Sequence, residues 1–201
     1  MRASTRREFI AGPAGRIECA VDKPEGPARG VALIAHPHPL FGGTLDNKVV
    51  QTLARVLVEL GYETWRPNFR GVGETEGVHD EGRGELEDLA AVLEKIRTEK
   101  FVLAGFSFGA SLVARLAQTV EEEWLVLVGL GITRLMAPPV PAGTLVIHGE
   151  NDDTVPLVAV LDWARPQELA VVVVPGAGHF FHGKLHILKR IVLDHAGPLR
   201  R

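Results

Sequence analysis

The stretch that decides the fold runs Phe101-Val102-Leu103-Ala104-Gly105-Phe106-Ser107-Phe108-Gly109-Ala110-Ser111. An apolar run rich enough for a buried strand ends in G-F-S-F-G, and a segment of helical character, Ala110 to Thr119, follows at once. Strand, sharp turn and helix are thus compressed around one serine. The G-x-S-x-G pattern has a mechanical reason. A residue at the tip of so tight a turn sits in strained backbone, and the flanking glycines leave room for it. Its hydroxyl then stands clear of the sheet edge, and the first N–H groups of the following helix point towards it, where they can stabilise a developing oxyanion. The pattern alone is common, so its meaning rests on what surrounds it.

Before the elbow, Arg7 to Ala11 and Arg16 to Val21 form two short strand-like runs around Gly12-Pro13-Ala14-Gly15, the composition of an antiparallel hairpin turn. Val31 to Ala35 is a continuous apolar run. Asn47 to Leu60 places Val50, Leu53, Ala54, Leu57 and Leu60 at helical spacing, with Gly61 placed to end the helix and Glu63 to Asn68 extended. Glu85 to Arg97 is again helical. Beyond the elbow, Trp124 to Leu130, Thr144 to His148 and Leu169 to Val174 read as strands, and Pro156 to Ala164 and Lys184 to His195 as helices. Strands and helices alternate from residue 31 onward, which predicts a mostly parallel sheet with helices on both faces. With 201 residues and 46% hydrophobic side chains, one domain spanning 1–201 accounts for the whole pattern.

In such a sheet, functional groups collect beyond the carboxyl ends of the strands. After Val146-Ile147 the chain reads His148-Gly149-Glu150-Asn151-Asp152-Asp153-Thr154-Val155-Pro156, and after Val172 to Val174 it reads Pro175-Gly176-Ala177-Gly178-His179-Phe180-Phe181-His182. The order is therefore Ser107, then Asp152 or Asp153, then His179, each beyond a different strand. That order fits a triad in which the histidine takes the serine proton and the acid fixes the imidazole tautomer.

With these stretches in view, together with His36-Pro37-His38-Pro39-Leu40-Phe41-Gly42-Gly43-Thr44 and Asn68-Phe69-Arg70-Gly71-Val72-Gly73-Glu74-Thr75, the chain resembles the small α/β-hydrolases that lack a lid domain. The resemblance covers residues from about 31 to 182. It implies the α/β-hydrolase fold and a serine hydrolase, with Ser107 as nucleophile, His179 as base and Asp152 as acid. Gly149 and Val155 bracket Asp152 at the family's G-x-x-D-x-x-V spacing, which leaves Asp153 as the lesser candidate. It also implies an oxyanion hole from the N–H of Phe108 and a second N–H in the loop after His36. Pro37 and Pro39 cannot donate, which leaves His38 or Leu40.

Gly131 to Gly143 is too short for a separate lid. The site is therefore expected to be open and shallow, lined by Leu40, Phe41, Phe106, Phe108, Leu135, Met136 and Phe180, and to suit small or short-chain acyl esters. The expected activity is that of a carboxylesterase without metal or organic cofactor. A thioesterase or acyltransferase would use the same triad, and a non-catalytic ligand-binding relative would keep its residues without turnover.

Other classes find little support. A metal site built from His36, His38, His179, His182 and His186 lacks carboxylates among the histidines, and the chain has one cysteine, Cys19. Gly71 to Gly77 imitates a dinucleotide loop, but the third glycine is misplaced and no helix opens on it. Glu85, Glu87, Asp88 and Glu121 to Glu123 read as solvated helix faces rather than as paired glycosidase carboxylates. A formal charge of −3, with basic residues scattered, argues against a nucleic-acid partner. Thr5-Arg6-Arg7-Glu8-Phe9-Ile10 imitates a twin-arginine signal, but Gly12, Pro13, Arg16, Glu18 and Asp22 interrupt the apolar region such a signal needs. The longest apolar run elsewhere, Trp124 to Ile132, is about half the length that spans a bilayer. A cytoplasmic protein without membrane attachment is expected, and no residue argues for a homo-oligomer.

Overall fold

Alternation of apolar side chains along each strand builds two separate cores in the computed structural model, which describes residues 5–197. The elements in chain order are β1 (Arg6–Gly12), β2 (Gly15–Asp22), β3 (Gly30–Ala35), α1 (Lys48–Glu59), β4 (Tyr62–Pro67), α2 (Arg83–Ile96), β5 (Phe101–Phe106), α3 (Phe108–Leu116), β6 (Trp124–Val128), β7 (Leu145–Gly149), α4 (Leu157–Ala164), β8 (Val171–Val174) and α5 (Leu185–His195). The strands form one sheet in the order β1-β2-β4-β3-β5-β6-β7-β8. β1, β2 and β4 pair antiparallel, and every pairing from β4 through β3 to β8 is parallel. This is the α/β-hydrolase arrangement, with the expected N-terminal hairpin closed at Gly12 opposite Gly15. Arg6 and Arg7 lie within β1.

Val31, Leu33, Phe101, Leu103, Leu125 and Leu127 point to one face, where they meet apolar residues of α2, α3 and α4. Ala32, Ile34, Val102, Ala104, Val126 and Ile147 point to the other and meet α1 and α5. Each fully buried Leu or Ile contributes roughly 1.5–3 kcal/mol relative to an exposed one, so the period-2 alternation fixes both register and helix placement. α1 starts where the Asn47 side chain accepts the Val49 N–H at 2.9 Å, and ends before Gly61, whose φ of +92° turns the chain into β4. Elements lie within a few residues of their expected ends. The short 3-10 turns Pro39–Phe41 and Arg165–Gln167 have no counterpart in the sequence reading.

Two buried ties hold the loops at the carboxyl end of the sheet. Arg70 makes a two-pronged pair with Asp88 of α2, both contacts at 2.8 Å, which fastens the glycine-rich loop after β4. Asp88, expected on a solvated helix face, is therefore buried. His36, just past β3, donates from Nδ1 to the Pro37 carbonyl at 2.6 Å and accepts the Phe69 N–H on Nε2 at 3.0 Å. Both ring nitrogens are thereby spent on backbone, and the ring rests on Phe69.

Burial pushes the His36 pKa down to about 3, against the smaller opposing pull of the Pro37 carbonyl. The folded protein therefore holds His36 neutral, while the unfolded chain protonates it below about pH 6.5. Since the unfolded state binds more protons, stability is lost as pH falls, by about 1.4 kcal/mol per unit between pH 6.5 and 3. Urea unfolding at pH 7 and pH 5 should show a clear drop in midpoint at the lower pH. A His36→Asn variant that folds should show a smaller drop, and an equal drop would mean that His36 does not carry the effect.

Candidate active site

Ser107 occupies the turn between β5 and α3 with φ +56° and ψ −119°, a conformation that non-glycine residues rarely adopt. Strain of this kind costs roughly 1–3 kcal/mol and persists only where the surroundings over-determine it. Here the Ser107 N–H donates to the Val128 carbonyl of β6 at 2.9 Å, and the Ser107 carbonyl accepts from Gly131, Ala110 and Ser111. The flanking glycines allow the close approach that the turn needs. A Cβ on Gly105 would lie 2.5 Å from the Gly109 carbonyl oxygen, and one on Gly109 would lie 2.5 Å from that of Ala35. Phe108 is the first residue of α3, so its N–H has no acceptor within the helix.

His179 and Asp152 come to Ser107 from the loops after β8 and β7. His179 Nε2 lies 2.9 Å from Ser107 Oγ, and His179 Nδ1 lies 2.7 Å from Asp152 Oδ2. All three residues are buried. The other Asp152 oxygen accepts the Val155 N–H at 2.7 Å and the Thr154 N–H at 3.0 Å, so the loop backbone orients the carboxylate. Burial alone would raise its pKa. The hydrogen bonds from His179 and Val155 outweigh that, and the net effect holds Asp152 below the ordinary carboxylate range. Asp153 is exposed and meets only the Thr154 hydroxyl, so the chain of hydrogen bonds runs through Asp152.

A further group on this carboxylate was not singled out in the sequence. His148 Nε2 lies 3.4 Å from Asp152 Oδ2 and donates to the Val155 carbonyl at 2.8 Å. Burial lowers its pKa, against the pull of Val155 and Asp152. The signal was available. His148 is the one polar side chain in an otherwise apolar β7, four residues before Asp152.

Above Ser107 opens a cleft of about 280 Å³, walled by His38, Phe41, Phe108, Gly131, Thr133, Arg134, Thr154 and Phe180, with Asn47 at one side. Of the apolar residues expected to line it, Phe41, Phe108 and Phe180 do. Phe106 does not. Its ring is fully buried in the core beneath His179, at 4.9 Å between ring centres, because even positions of β5 face α1 and α5. Leu40 and Met136 are each 66% exposed and lie outside the cleft wall, and Leu135 is also outside it. Leu40 in addition commits its N–H to His38 Nδ1 at 3.3 Å. Asn47, Thr133 and Arg134 were missed because they stand outside the quoted motifs, and Thr154 because it fills an unspecified position of the G-x-x-D-x-x-V stretch.

Residues 129–144, between β6 and β7, contain no helix or strand, so nothing in that segment roofs the cleft. Among the described residues, no three His, Cys, Asp or Glu side chains are grouped so as to hold a metal ion. No described helix is long and apolar enough to cross a membrane.

Comparison with known proteins agrees with this architecture. A model of the alpha/beta hydrolase family matches residues 32–144. The crystal structure of XC6422 from Xanthomonas campestris, described as an a/b serine hydrolase without lid, is 37% identical with a TM-score of 0.90, covering 98% of this chain and 95% of that one. An alpha-beta serine hydrolase homologue from Coxiella burnetii is 38% identical with a TM-score of 0.85, covering 96% and 98%. An uncharacterised protein of Rickettsia prowazekii, RP471, is 30% identical over 93% of this chain and 87% of its own length. By sequence and by fold, the chain belongs to the alpha/beta hydrolase family, in the lidless form that its short β6–β7 connection dictates.

Proposed function

We propose that the protein is a serine carboxylesterase that cleaves small or short-chain acyl esters through an acyl-enzyme. The observation that carries this is the buried relay Asp152–His179–Ser107, with links of 2.7 and 2.9 Å, at the floor of an open cleft. Ser107 Oγ attacks the ester carbonyl carbon while its proton passes to His179 Nε2. The carbonyl oxygen becomes an oxyanion. Phe108 N–H is one donor to it, and His38 N–H is the second, since Pro37 and Pro39 have none and that of Leu40 is taken by His38 Nδ1. Collapse breaks the ester C–O bond, and His179 returns the proton to the departing alcohol. Water then attacks the acyl-serine, gives a proton to His179, and the carboxylic acid leaves as Ser107 regains its hydrogen.

Asp152 keeps the imidazole in the tautomer that presents a bare Nε2 to Ser107, and it stabilises the imidazolium formed in each half-reaction. The small cleft volume and the aromatic wall of Phe41, Phe108 and Phe180 support a short acyl chain. The chemistry needs no metal or organic cofactor.

Ser107→Ala should reduce kcat on 4-nitrophenyl acetate by at least about 10³-fold while leaving the unfolding midpoint close to that of the parent. Labelling by a fluorophosphonate should vanish with it. A parent protein that resists the label at neutral pH would favour a non-catalytic relative. The pH profile gives a second measurement. Because Asp152 is held below the ordinary carboxylate range, it stays ionised through that range. The acid limb of log kcat/KM should therefore keep a slope of one down to the ordinary carboxylate range, and a slope of two there would mean that the carboxylate titrates as well.

A further inference from the structure

The cleft wall carries one charged side chain. Among its lining residues Arg134 is the sole Lys, Arg, Asp or Glu, although acids outnumber bases by 25 to 22 in the chain as a whole. Asp152 lies behind His179, with its side chain fully buried and its oxygens occupied. Among the described residues no carboxylate pairs with Arg134. Arg7, Arg16, Arg29, Arg66, Arg70 and Arg83, by contrast, each do.

Arg134 is exposed, but the turn that bears it is fixed. Its own N–H donates to the Gly131 carbonyl at 3.2 Å, and Gly131 N–H donates to the Ser107 carbonyl at 3.1 Å. The turn that bears Arg134 is thereby fastened to the nucleophile's own backbone. Its side chain lines the cleft, and the guanidinium carbon sits 4.4 Å from the centre of the Phe41 ring on the loop after β3. From there its charge reaches His38, whose pKa is lowered by burial first and then by His79 and Arg134. A guanidinium held over an aromatic ring, with its N–H edge unclaimed by protein carboxylates, is arranged to take a planar anion.

We infer that the cleft selects esters bearing an ionised carboxylate, which Arg134 binds at the cleft wall while the ester carbonyl sits at Ser107. This rests on the ester-hydrolysis reading above. The charge could stand on the acyl chain or on the alcohol, and paired substrates separate the two. Mono-(4-nitrophenyl) glutarate against methyl 4-nitrophenyl glutarate tests the acyl side, and 4-acetoxybenzoate against its methyl ester tests the alcohol side.

For at least one pair, the ratio of kcat/KM for the charged ester over the neutral one should fall about tenfold or more on Arg134→Gln, with most of the change in KM. Arg134→Lys should keep part of the preference, and added salt should raise the parent's KM for the charged ester. If the parent cleaves the neutral esters but both ratios are the same in Arg134→Gln, the inference is overturned and the esterase reading stands. If the parent cleaves none of the four, the esterase reading falls and this inference falls with it.

Discussion

The backbone of Ser107 is the constraint on which the rest of the site depends. A serine at φ +56° is unfavourable on its own terms, and what holds it there is packing between two elements that cannot move apart. β5 is the sheet's centre, flanked by β3 and β6, and α3 leaves it after a single residue. The start of the helix must therefore lie against the strand ends. Gly105 and Gly109 leave no Cβ in the way, and the Val128 carbonyl of β6 takes the Ser107 N–H. The strain is the cost of presenting a hydroxyl and a free helical N–H to the same small volume.

That geometry passes outward through hydrogen bonds. Gly131 donates to the Ser107 carbonyl, which ties the β6–β7 connection to the elbow, and the Ala35 carbonyl at the end of β3 packs on Gly109. Two of the loops that wall the cleft are consequently positioned by the turn that carries Ser107. The loop after β3 is braced a second time, through His36 to Phe69, and the loop after β4 through Arg70 to Asp88. A cleft without a lid needs such bracing, because no second layer of structure presses its walls into place.

Much of this was legible in the sequence, and the reasons differ between its parts. Strand assignments follow because both sheet faces are covered, so β3, β5 and β6 read as unbroken apolar runs, while the helices show their own period. Ser107, Asp152 and His179 stand in motifs because tight turns at strand ends restrict which residues fit. The pocket wall was read less well. Phe106 and Phe108 are two residues apart across the elbow, yet one is core and the other faces the cleft, since the chain passes from strand to helix between them. Leu40 and Met136 looked like wall residues by their apolarity, but their loops turn them to solvent. Asp88 looked solvated by composition, and only the partner brought by the loop after β4, Arg70, makes its burial tolerable.

The histidines around the site show how position decides chemistry for one residue type. His36 spends both nitrogens on backbone and is held neutral by burial, so it works as a strut. His148 gives its N–H to the Val155 carbonyl beside the Asp152 carboxylate, with its other nitrogen buried and unpartnered. Protonating it would put a proton on that unpartnered nitrogen with no acceptor to receive it, which together with burial opposes ionisation. His179 alone has a carboxylate on one nitrogen and a hydroxyl on the other. The shorter contact of Asp152 Oδ2 is thus with His179, at 2.7 Å against 3.4 Å to His148, whose N–H is directed to the Val155 carbonyl.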